Sequence, residues 1–315
     1  MNLKSTRNFA GVLLLFLLAA LLPWIPDSAY LMSLAVPVAM YTVLATSWAL
    51  FSGPTHYISL ATAAFYGVGA YVVGAGIDTL PYPLLLIIAA TAGIILAGLV
   101  GIATLRLSGV YFVIFTLGLA ELIRQIVTWI QNNLTGSRGM YVLTDLTENH
   151  IYWQLLALAA LAFLIGWLIK RSRLGFALRI IGNDELVAAH CGINSAGAKI
   201  ILFMVSGGFA AIVGAVMAPR FTYIEPSIAF SPELSFQVVI MALLGGVHRL
   251  WGPLVGVIPF TLLWEVIATN FPTQTVLLLG VAFLLIVYFI PNGIVGRLEE
   301  MARSMNIRIS RGPRA

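Results

Sequence analysis

Charge is what this chain has least of. Only 9 % of its 315 residues are Asp, Glu, Lys or Arg, where a soluble globular domain carries about a quarter. With 60 % hydrophobic residues and a mean hydropathy of +0.99, that scarcity excludes a soluble fold of this length. There is a single cysteine, Cys191, which excludes an internal disulfide and reads as a small filler. The four histidines, His56, His150, His190 and His248, are scattered without metal-ligand spacing. No GxxxxGK[ST] phosphate loop occurs, which excludes ATP hydrolysis by that route. Nor is there a nucleophile–base arrangement, so any work the protein does is driven by a partner or a gradient.

What is present is apolar runs of the ~20 residues that cross a bilayer as a helix. Ten spans can be drawn, at 9–25, 31–50, 57–76, 82–105, 110–130, 151–169, 199–219, 228–246, 252–270 and 274–290. The first follows Lys4 and Arg7 and ends at Pro23-Trp24-Ile25-Pro26 with no small-x-small cleavage site, and reads as an uncleaved span. Ten spans put both termini on one side. That drawing places fourteen of the seventeen Lys and Arg inside and only Arg138 and Arg220 outside, with Arg124 within a span. Positive residues collect on the cytoplasmic side of membrane proteins, so both termini are expected to be cytoplasmic. Short basic loops between spans are explained by that rule without nucleic acid.

The longest polar interval between spans is the inside loop 170–198, bounded by Lys170 and Lys199. It contains the signals of a short helix: Asn183 as N-cap, Asp184 and Glu185 in the first turn, and Gly192 at the left-handed C′ position. Ser195 is placed to cap the helix that follows. A short capped helix on the cytoplasmic surface is shaped to be gripped by a motor subunit.

Two segments depart from simple spans. Gly53-Pro54 is expected to break a helix before the polar run Thr55, His56, Tyr57, Ser59 and Thr62, and Gly245-Gly246 and Gly252-Pro253 interrupt the chain later. Irregular backbone at membrane depth is tolerated where it is buried in protein or lines a water-filled path, and interrupted segments in both halves of a chain point to a transport pathway. Close packing of small residues explains the same glycines. Ser59 and Thr62 are candidate pathway residues. So are Glu121 and Arg124 in the fifth span, whose i,i+3 spacing sets them on one face. An ionisable group there costs on the order of 3 kcal/mol and must face protein or water. An internal salt bridge, substrate contact and a proton relay are the readings open for these two and for Glu265.

Six motifs occur in order: ISLATAAFYGVGAY (58–71), RLSGVYFVIFTLGLAELIRQI (106–126) with LTG (134–136), RSRLGFALRIIGNDELVAAHCGI (171–193), SP (231–232), LLGGVHRLWGPLVG (243–256) and PNGIVG (291–296). Together they resemble the permease subunit of bacterial branched-chain (hydrophobic) amino acid ABC importers, the Liv-type M subunit, from about Trp48 to Gly296. The resemblance implies an all-α polytopic fold of about ten spans, type II-like, over residues 1–296, with 297–315 a basic cytoplasmic tail. It also implies that DELVAAHCGI matches the family's ATPase-coupling loop, with Asn183, Asp184, Glu185, Ala188, Ala189, Gly192 and Ile193 as coupling residues. The partners implied are a second permease, two cytoplasmic ATPases that bind ATP and Mg, a periplasmic binding protein and membrane lipid. The chain itself would hold no cofactor or metal. Gly182-Asn183-Asp184-Glu185 departs from the commoner REDE or RENE, and His248-Arg249-Leu250-Trp251 from a GTL-like turn. Urea, amides and small aromatic carboxylates are alternative substrates within the family. A gradient-driven transporter and a non-transporting scaffold are the alternatives outside it.

Overall fold

The computed structural model describes residues 19–24, 29–104, 107, 109–289 and 293–297. The expected first span, 9–25, and the basic tail, 297–315, lie outside the described residues apart from residues 19–24 and Arg297. Each later expected span has a helix at its place. These are α1 (Ala29–Thr55), α2 (Thr62–Gly76), α3 (Tyr82–Thr104), α4 (Val110–Ile130) and α5 (Glu148–Arg171). Then come α6 (Arg173–Asn183), α7 (Glu185–His190), α8 (Ser195–Phe221), α9 (Pro226–Ala229), α10 (Pro232–Gly245), α11 (Gly252–Asn270) and α12 (Thr275–Phe289). Among the described residues, seven stretches are long and apolar enough to cross a membrane: α1, α3, α4, α5, α8, α11 and the α9–α10 segment. At 15 residues each, α2 and α12 fall short of the ~20 that span a bilayer unaided.

The centre of the bundle is α8, which packs most extensively against α3 and α2, with α1 on another side. Small residues let these backbones touch. A Cβ on Gly69 of α2 would lie 1.8 Å from the Ala211 carbonyl oxygen, and one on Gly214 of α8 would lie 1.9 Å from that of Tyr66. On the α3 side, Gly93 meets Ala211 and Gly207 meets Ala97 in the same way. Lipid tails are as apolar as the side chains, so helices in a membrane associate by such close van der Waals packing rather than by escaping water. The α1 stretch is 78 % buried and α4 only 17 %, which makes α1 core and α4 periphery.

Some features of the fold differ from, or go beyond, the sequence expectation. Pro54 does not end α1, which runs on to Thr55 and turns at His56, a left-handed residue with φ 59°. In the last turn a proline forfeits one hydrogen bond, while His56 N–H still bonds Ser52 O at 2.9 Å and Thr55 Oγ1 bonds Phe51 O at 2.6 Å. The loop 170–198 contains a second helix, α6, before the short one. At the opposite end, Met140–Tyr141 pairs antiparallel with Tyr223–Ile224, and Arg220 Nε lies 3.4 Å from Glu148 Oε1. The 131–150 connection is thereby tied to the far end of α8.

The other interrupted segment is a backbone-to-backbone hairpin. Gly246, with φ 108°, ends α10, Pro253 sits in the first turn of α11, and a Cβ on Gly256 would meet the Met241 carbonyl oxygen at 2.1 Å. Replacing Gly214 by Val forces α2 and α8 apart. The expected loss is about 1–3 kcal/mol of stability, read as a lower thermal midpoint and a lower yield of monodisperse protein, with Gly118→Ala, which meets nothing within 4 Å, unaffected.

Candidate functional site

Between α5 and α8 the chain leaves the bundle and builds two helices on its surface. The turn into α6 is tight. Ser172 Oγ accepts the Gly175 N–H at 3.3 Å, and a Cβ on Gly175 would lie 2.2 Å from the Ile169 carbonyl oxygen. Apolar spacing then gives α6 a buried face, Leu178 and Ile181, and an outward one with Phe176 exposed. His56 Nε2 donates to the Gly182 carbonyl at 3.2 Å, which joins the end of α1 to the end of α6.

Asp184, not Asn183, caps α7. Asn183 is the last helical residue of α6, whereas Asp184 is extended (φ −158°, ψ 118°), the backbone an N-cap requires. Its Oδ1 accepts from Leu186 N at 2.8 Å and Val187 N at 3.3 Å. The helix is six residues long, shorter than the span from Asn183 to Gly192. Gly192 takes the expected left-handed conformation, φ 74°. Ile193 N bonds Ala188 O and Gly192 N bonds Ala189 O, both at 3.0 Å, which is a complete Schellman motif. Ala188 is fully buried, while Leu186 and Val187 are exposed. Asn194 rather than Ser195 caps α8, with Oδ1 accepting from Gly197 N at 2.9 Å. Asn194 precedes the first helical residue, and Ser195 is already inside the helix.

One ion pair holds this surface to the bundle. Lys199, on the second turn of α8, has a side chain only 3 % exposed, and its Nζ lies 2.8 and 2.7 Å from the two Glu185 carboxylate oxygens. The same ammonium sits 4.4 Å from the centre of the Tyr57 ring, which packs edge-on against Phe112 of α4 at 5.1 Å. A single cation thus joins α7, α8 and the connection between α1 and α2. Nothing in the sequence points to Lys199, fourteen positions from its partner and indistinguishable there from any other inside lysine.

The remaining candidates fall in two places. Ser59 and Thr62 are buried, in a connection satisfied from all sides. Trp48 Nε1 donates to Ser59 O at 2.8 Å, Leu60 N donates to Thr116 Oγ1 at 3.1 Å, and Ser235 Oγ accepts from Ala63 N and donates to Leu60 O, each at 2.9 Å. Irregular backbone inside the bundle is thereby paired as buried backbone must be. Glu121 and Arg124 do pair, at 2.5 Å, with Gln125 Nε2 donating to the same carboxylate oxygen at 2.8 Å. They lie on the sparsely covered side of α4, with side chains 42 % and 31 % exposed. Glu265 is exposed on α11.

A bundle of long apolar helices, packed through glycine and carrying a capped surface helix at one end, is a multi-pass membrane protein. The chain belongs to the branched-chain amino acid transport system permease component family, whose model matches residues 30–289. It is similar to the high-affinity branched-chain amino acid transport system permease protein LivM of Salmonella typhimurium, 24 % identical over 302 residues, or 83 % of this chain and 69 % of that protein. BraD of Pseudomonas aeruginosa, a permease of the same description, is 24 % identical over 82 % of this chain and 92 % of its own. The separate permease LivH of Salmonella typhimurium is 26 % identical over 53 % of each. No solved structure matches the chain.

Removing either partner of the Glu185–Lys199 pair is expected to lower stability. Lys199→Met and Glu185→Gln should each cost about 1–2 kcal/mol, and the double variant should recover about 1 kcal/mol of the sum because the sites are coupled. A denaturation cycle in detergent measures this. A pH dependence follows from His248, whose pKa is lowered from 6.5 by partial burial and by the neighbouring His56 and Lys170. The folded state therefore favours neutral His248. Its contribution is full above about pH 6.5 and is lost as pH falls through the depressed folded value. His248→Gln should flatten the pH dependence of the thermal midpoint between about pH 7 and 5.

Proposed function

We propose that this chain is the transmembrane permease subunit of an ATP-driven ABC uptake system for branched-chain or hydrophobic amino acids. It sits in the bacterial inner membrane with ten spans and both termini in the cytoplasm. Residues 1–296 form one permease domain, 170–198 its coupling loop and 297–315 a basic tail. The observation that carries the reading is the surface helix α7: capped at both ends, fastened to α8 by Lys199, and turning Leu186 and Val187 outward. A short rigid lever with an apolar outer face suits seating in a cleft of a motor protein, because a helix that frayed or swung would absorb the stroke.

In this reading two cytoplasmic ATPases supply the ATP and Mg chemistry, and their closure moves α7. Force passes through Glu185–Lys199 into α8, the centre of the bundle, and so to α2 and α3. Asn183, Asp184, Ala188, Ala189, Gly192 and Ile193 shape or bury the lever rather than touch substrate. The second permease covers the outer face of α4. Glu121 and Arg124 there would each cost on the order of 3 kcal/mol against lipid, so protein or a water-filled path faces them. Ser59 and Thr62 stand behind that path in the connection that positions α2. A periplasmic binding protein delivers the amino acid and sets most of the selectivity.

Leu186→Asp tests the lever. The reconstituted assembly should lose at least about 90 % of uptake and of transport-coupled ATP hydrolysis, while membrane insertion and thermal midpoint stay as in the parent, since Leu186 is already exposed. Undiminished uptake, or uptake by this chain alone that collapses with a protonophore, overturns the reading.

A further inference from the structure

Beside α6 the structure holds a cavity of about 670 Å³, walled by α1, α5, α6 and the Val247–Leu250 turn. That is the size of a small-molecule site. Its charge is one-sided. Lys170, Arg179, Arg249, His56 and His248 line it, and no Asp or Glu does among the described residues. Lys170 lies within Coulombic reach of both Arg179 and Arg249. Neither Lys170 nor Arg179 forms an ion pair with a carboxylate among the described residues. Like charges brought together at an opening, here Lys170 and Arg179, disfavour the empty state.

The deeper wall differs from the rim. Ala49, Leu50, Ile169, Leu178 and Leu250 make it apolar. Thr46 also lines it, and its buried hydroxyl has no hydrogen-bond partner among the described residues. An orphaned buried hydroxyl costs about 1–3 kcal/mol unless something reaches it. A cationic rim, an apolar wall and one unused hydroxyl together describe an amphiphilic anion.

We propose that this cavity binds a phosphate-bearing anion, its phosphate held by Lys170 and Arg179 at the rim and its organic part against the apolar wall. Two sources share that chemistry, the headgroup of an anionic phospholipid and a soluble phosphate. Basic pockets between membrane helices take phospholipid headgroups by the same charge pairing. The site lies beside the lever, with Asn183 on its lining, and its anion binding does not depend on which substrate the protein carries.

The full chain is reconstituted in phosphatidylcholine nanodiscs at constant ionic strength. One arm replaces part of the lipid with phosphatidylglycerol, and the other titrates inorganic phosphate. Ligand that binds the folded state raises the thermal midpoint. A saturable rise of about 4 °C or more is expected in at least one arm. A rise with phosphatidylglycerol assigns a headgroup, and a rise with phosphate a soluble anion.

The Lys170→Gln/Arg179→Gln variant should lose at least half of that rise, and Arg138→Gln, at the opposite end, should keep it. In phosphatidylcholine alone the double variant should match or exceed the parent midpoint, because it removes repulsion. No rise in either arm overturns the proposal, as does an equal rise in the double variant. A lower midpoint for that variant in phosphatidylcholine would identify the two cations as structural ties, and a cavity closed only by an acidic segment of a partner protein would show as no rise in both arms.

Discussion

Everything in this bundle depends on how closely α8 can approach its neighbours. In water, burial of apolar surface drives helices together; in lipid that force is absent, and contact must come from packing and a few polar ties. Gly207, Ala211 and Gly214 give α8 two smooth flanks, one for α3 and one for α2. Backbone meets backbone there, and a single methylene does not fit. The interrupted connection between α1 and α2 follows from the same constraint. Once α2 is pressed onto α8, Ser59–Ala61 lies inside the protein, and Trp48, Thr116 and Ser235 must satisfy the peptide groups there.

The surface at the α6–α7 end is built differently, from caps and one ion pair. Asp184 and Gly192 close α7 at its two ends within nine residues, so the helix holds its shape without a long propagating ladder. Lys199 then connects it to the element that everything else packs on. Stiffness at this end and central position of α8 are therefore one mechanical unit, which is what the transport reading requires of a lever. The apolar, uncovered residues Phe176, Leu186 and Val187 are on the outer side of that unit, where a partner would find them.

The outer side of α4 makes a complementary point. It combines low burial with an ion pair that lipid does not tolerate cheaply. LivM and LivH are named as separate permease proteins, and this chain is similar to both over different lengths. The bare face is otherwise apolar, with Tyr111, Ile114, Leu122 and Trp129 exposed around that one ion pair.

The apolar runs alone located α1 to α5, α8 and α10 to α12 to within a few residues, because exclusion of charge from a bilayer is a one-dimensional constraint that each run satisfies by itself. Gly192 was legible as a left-handed cap for a similar reason: a glycine after a short helix admits a backbone that other residues resist. Packing decided the rest. Whether Asn183 or Asp184 caps α7 depends on where α6 ends, and α6 ends where His56 meets Gly182, 126 positions away in the chain. Ser59 and Thr62 look alike in sequence wherever their connection sits; that it is buried and paired with Trp48, Thr116 and Ser235 is seen only in the fold. The pairing of Met140–Tyr141 with Tyr223–Ile224, and of Lys199 with Glu185, arises only when distant segments are brought to the same end of the bundle. Solvent exclusion acts on each segment separately and is written in composition, whereas partner choice is set by the three-dimensional approach of α8 to its neighbours.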